Sequence, residues 1–107
     1  MERFDHIAVF VAAGSSEEAK KIADALLAER KAACVNILDK VNSLFWWHEK
    51  LDAAQEALLI IKTRAVMLND IIKTVKKIHS YEVPEIIALP IIGGSRDYLE
   101  WISNELK

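Results

Sequence analysis

One cysteine, Cys34, is the only thiol in this sequence, so no disulfide can form within the chain. That excludes a disulfide-stapled scaffold and leads us to expect a reducing, cytoplasmic setting. Glycine and proline are scarce as well, at three and two among 107 residues, and no Ser- or Pro-rich stretch interrupts the chain. With no linker in view, the expectation is one domain spanning residues 1–107. No apolar run approaches the roughly 20 residues of a membrane-spanning helix. The opening MERFDHIAVFVAA has acids before a short apolar run and no small-residue cleavage site, unlike a signal peptide. Neither sign of charge dominates, with 14 Lys and Arg against 16 Asp and Glu. The basic footprint of a general nucleic-acid binder is absent, so neither nucleic acid nor membrane is expected as a partner. No glycine-rich phosphate loop, G-x-S-x-G elbow, H-E-x-x-H or C-x-x-C pair occurs, and no enzymatic activity is expected.

What the chain does have is apolar surface, at 52% of residues, enough to offset the entropy of ordering a small core. Ile7–Ala13 is a continuous β-branched run that reads as a buried strand. Gly14 breaks it, and Ser15 with Glu18 forms the S-x-x-E signature of a helix start. Ala19, Ile22, Ala23, Leu26 and Leu27 follow at helical spacing. A second strand begins near Ala33, bends around Asp39–Ser43 and resumes as Leu44–His48. The polar stretch Glu49–Gln55 reads as a turn or frayed hairpin end, and Ala57–Lys62 as a third strand. Leu68, Ile71, Ile72, Val75 and Ile78 mark a second helix. Ser80–Glu85 is extended, because Pro84 pushes Val83 away from helical geometry, and Ile86–Ile91 is a fourth strand whose Pro90 places it at an edge or a strand end. Ser95 opens a short last helix. The fold class is therefore α+β: a ferredoxin-like βαββαβ antiparallel sheet sandwich with an extra C-terminal helix.

Two helices cover only one face of such a sheet. An antiparallel sheet with a wet second face alternates apolar and polar residues, and these strands do not. Phe45-Trp46-Trp47 must also send large rings to both sides. The apolar excess points to an obligate symmetric oligomer, the alternative being that the last helix and the Asp39–Ser43 loop fold over the second face.

Four places could carry chemistry. Cys34 lies among small residues, a setting more often of buried filler than of a reactive thiol. His79, Tyr81, Glu82 and Glu85 crowd into a helix-to-strand junction, where imidazole and carboxylates make an acceptable ligand set for copper or zinc. The other reading of His79 is a helix C-cap ahead of a rigid proline turn. Lys62-Thr63-Arg64 could take a carboxylate or phosphate, or be an ordinary polar strand exit. The Trp46-Trp47 pair reads as core or interface packing; Lys20, Lys21, Lys31, His6 and His48 read as solvated.

The stretches AACVNIL, SLFWWHEKL, LLIIKTR, HSYEVPEIIALPI and YLEWI, in this order and spacing, closely resemble the CutA family of divalent-cation tolerance proteins. The resemblance implies a ferredoxin-like protomer in a tight homotrimer and a role in the response to metal ions. Copper or another divalent metal is the implied ligand, and no organic cofactor is. Carried onto this chain, the candidate metal ligands are Cys34, His79, Glu82 and Glu85. Departures from the family pattern include Ser80 in place of a proline and Phe45 in place of a tyrosine. A site that is weak, or shared between protomers, is expected. The trimer also resembles the PII signalling proteins, which implies an alternative: a small-molecule sensor with Trp47, Lys62 and Tyr81 near a cleft between subunits.

Overall fold

The structure is a computed structural model that describes residues 4–107. Met1–Arg3, which open the stretch weighed as a leader, lie outside the described residues. Strand β1 (His6–Ala13) leads into helix α1 (Ser16–Ala28), the hairpin β2 (Cys34–Trp47) and β3 (Lys50–Arg64), helix α2 (Leu68–Ile78), strand β4 (Ile86–Pro90) and helix α3 (Arg96–Glu105). The strands form one antiparallel sheet in the order β2-β3-β1-β4. Pro90 is the last residue of the edge strand β4, where a missing N–H costs no ladder bond.

One face of the sheet forms the core. Ile7, Val9, Val11 and Ala13 of β1 alternate onto it beside Ala57, Leu59 and Ile61 of β3, and α1 and α2 cover them with Ile22, Leu26, Ile71 and Val75. The period-2 pattern of β1 and β3 and the i, i+3, i+4 pattern of the helices thus meet in one layer. Lys31, read as a solvated charge, instead donates to Thr74 of α2 at 3.1 Å and pairs with Glu29 at 3.5 Å. The buried Thr63 hydroxyl donates to the Lys31 carbonyl at 2.6 Å.

The largest departure from the sequence reading is the β2–β3 hairpin. Lys50–Gln55 is strand, not a frayed turn, and only His48 and Glu49 turn, both with positive φ (49° and 64°). β3 pairs with β1 from Ala57 to Arg64, so its first seven residues and their partners on β2 project beyond the sheet. At about 3.4 Å per residue this arm is over 20 Å long. The bend expected near Asp39–Ser43 is a bulge: the register slips between Leu38 and Val41, with Lys40 at φ 56°. Leu44 and Trp46, both 73% exposed, stand with Leu51 on one side of the arm beyond the reach of the helices. Core packing of Trp46 within one protomer is thereby excluded.

Candidate functional site

The second face of the sheet divides into two halves. At one end α3 crosses it, burying Ile102, while Ser103 Oγ meets His6 Nε2 at 2.8 Å. His6 therefore anchors a helix and is not simply solvated. At the other end, where α3 does not reach, the sheet and the arm form the wall of a cleft of about 650 Å³. Residues paired across antiparallel strands share a face. Ser43 opposite Ala54 and Phe45 opposite Asp52 therefore line this wall together, with Trp47 and Glu56 at the same alternation. The opposite wall is the segment between α2 and β4, which contributes Tyr81, Glu82, Val83 and Glu85.

A hydrogen-bonded junction holds that segment. His79 caps the C-terminus of α2, and its side chain is fully buried. Its Nε2 lies 2.7 Å from the carbonyl oxygen of Ala12, which can only accept, so Nε2 carries the proton. Its Nδ1 accepts the Tyr81 N–H at 3.0 Å, and Glu18 Oε1 stands 3.3 Å from the same nitrogen. Glu18 accepts from Gly14 N–H at 3.1 Å and from Ser80 N–H at 3.0 Å. The Ser15 side chain accepts from Glu18 N–H as an N-cap should, but the Glu18 carboxylate reaches past Ser15 to serve Gly14 and the junction. Burial raises the Glu18 pKa. Hydrogen bonds from the Ser80 hydroxyl, the Gly14 N–H and the Ser80 N–H together outweigh that and set it below the usual carboxylate value. Tyr81 packs against Gly14, where an added Cβ would stand 3.3 Å from the Tyr81 ring. Burial, then hydrogen bonding to Glu56 and its charge, then the charge of Glu18, push the Tyr81 phenol up to about 12.

The expected site residues therefore separate. Tyr81, Trp47, Glu82 and Glu85 come together around the cleft. His79 stands behind its wall with both ring nitrogens engaged. Cys34 lies at the other end of the second face, opposite Lys62 on β3. There its Sγ is 3.8 Å from Asn36 Oδ1, and Lys62 also donates to Asn36. Tyr98 of α3 neighbours the thiol, its phenol raised by burial first and by Cys34 second. Lys62 does not line the cleft, and Cys34 and His79 are not joined within one protomer. Among the described residues, no three His, Cys, Asp or Glu side chains gather in an arrangement able to hold a metal ion. Two cleft residues, Asp52 and Glu56, were not candidates from sequence. Glu56 gave no sign, because its burial comes from Tyr81 and the opposite wall, which lie far off in the chain.

Together these features define an α+β protein whose antiparallel sheet is backed by two helices and half covered by a third, with an acid-lined cleft over the remainder. The family described as "CutA1 divalent ion tolerance protein" matches residues 7–105, and the chain belongs to it. It is 45% identical over 101 residues to "Protein CutA 1, chloroplastic" of Oryza sativa, covering 94% of this chain but 57% of the rice protein. It is 41% identical to the "Divalent-cation tolerance protein CutA" of Archaeoglobus fulgidus, covering 95% of this chain and 99% of that one. The chain thus spans little more than half the length of the plant relatives it matches and nearly all of the archaeal one. Among solved structures, CutA1 from Oryza sativa superposes with a TM-score of 0.94 at 43% identity, covering 97% of this chain and 95% of that one. The Thermus thermophilus divalent cation tolerance protein superposes at 0.93 and 40% identity, covering 95% and 99%. No helix among the described residues is long and apolar enough to cross a membrane.

Proposed function

We propose that this chain is a ferredoxin-like, homotrimeric, cytoplasmic binding protein without catalytic activity, acting in divalent-cation tolerance by holding copper or a similar metal weakly. The strand order and the names of its relatives support the reading. The observation that carries the metal part is the placement of Cys34. This partly exposed thiol lies on the half-covered second face, with no partner ligands gathered around it among the described residues. A thiolate alone holds a soft cation poorly, so the remaining ligands come from solvent or from another protomer. Assembly is supported by the exposed stripe of Leu44, Trp46 and Leu51 on the projecting arm and, separately, by exposed Ile87 and Leu89 on β4, apolar side chains that neighbouring copies would take out of water. Titrating the protein with Cu(I), Cu(II) and Zn(II) on either side of its dissociation concentration tests this. Metal binding should weaken as the assembly comes apart. Tight binding by isolated protomers would contradict a shared site.

A second reading is favoured by the cleft itself: a small-molecule sensor or interaction module, with Tyr81 and Trp47 in the binding wall. A cavity of about 650 Å³ with aromatic rings and a few convergent polar groups has the size and character of a ligand site.

A further inference from the structure

We draw no further inference here: the strongest candidate, the side-chain cluster of Cys34, Asn36, Lys62 and Tyr98 at the α3 end of the second sheet face, belongs to the metal site already proposed, and nothing beside its lone thiol points to any other ligand.

Discussion

His79 donates from Nε2 to the carbonyl oxygen of Ala12 across 2.7 Å, tying the end of α2 to the last turn of β1 under the cleft wall. Its other nitrogen fixes the Tyr81 backbone, so one buried ring sets where Tyr81, Glu82 and Glu85 can stand. A metal at either nitrogen would first have to break one of these bonds. His79→Ala should therefore act on stability before it acts on metal. It strands a buried carbonyl and opens a void, at a cost of about 1–3 kcal/mol for the unpaired group alone. Urea unfolding at fixed protein concentration should show the midpoint fall. An unchanged midpoint together with lost copper binding would instead make the ring a ligand.

Glu18 makes the same junction sensitive to acid. Its folded pKa lies below the unfolded value of 4.5, so the carboxylate is more acidic in the native state. The stability it contributes is present above pH 4.5 and is lost as pH falls through the folded value. Glu18→Gln should lower stability at neutral pH and flatten the fall below pH 4.5. Parallel stability curves for the two proteins across that range would show that Glu18 contributes no pH dependence.

Tyr81 gives the opposite limb. A phenol raised from 10 to about 12 favours the neutral form in the folded protein. Its contribution is complete below pH 10 and disappears as pH rises toward 12. In a Tyr98→Phe background the remaining tyrosine should ionise near 12 by ultraviolet absorbance. Replacing Glu56 with Gln in that background should bring the titration down, because it removes the negative charge beside the phenol. A midpoint near 10 in the parent would mean that the Tyr81 hydroxyl faces solvent, away from Glu56.

The core of the fold was legible because its residues obey local patterns. Ile7–Ala13 is one unbroken apolar run of strand length, Ile22 and Leu26 recur at four, and Pro90 marks an edge. The arm was not legible, because Lys50–Gln55 carries no hydrophobic alternation and its turn, His48-Glu49, lacks the Asn-Gly or Gly signal of a two-residue hairpin. Half of the cleft was visible as a crowded junction around Tyr81. The other half was hidden, since Asp52 and Glu56 look like ordinary surface acids until the arm brings them opposite that junction. The Ser15–Glu18 signature located the helix start but not the wider task of Glu18, which depends on Ser80, 62 positions away.

The exposed stripe on the arm predicts assembly. A homotrimer of 12.1 kDa chains should scatter as about 36 kDa at low micromolar concentration. Trp46 is 73% exposed in the protomer, so Trp46→Ala should cost a lone protomer little. In the assembly a buried tryptophan of this kind is worth about 2 kcal/mol or more, and the dissociation concentration should rise accordingly. Sedimentation across a dilution series reads that change. Identical dissociation in both proteins would leave the Trp46 ring in solvent.

If Cys34 holds metal as proposed, it should separate soft from borderline ions. Its thiol is partly exposed beside Asn36 and Tyr98, and on the opposite strand Lys62 shares Asn36 with it. The thiolate is the form that binds metal, and sulfur favours Cu(I) far more than it favours ions content with nitrogen or oxygen. Cys34→Ser keeps the size of the side chain and replaces the sulfur with a harder oxygen. Because the position is not fully buried, the swap should change stability by no more than about 1 kcal/mol, well short of the cost of a core cavity. Cu(I) affinity should drop by tenfold or more, about 1.4 kcal/mol, while Zn(II) affinity falls less. Affinity for both ions should also rise with pH, since protons compete for the thiolate. Competition titrations against a chromophoric chelator give both numbers. Equal losses for the two ions would point to a geometric change at the site, whereas no loss for either would return Cys34 to a packing role and leave the cleft as the binding surface of this chain.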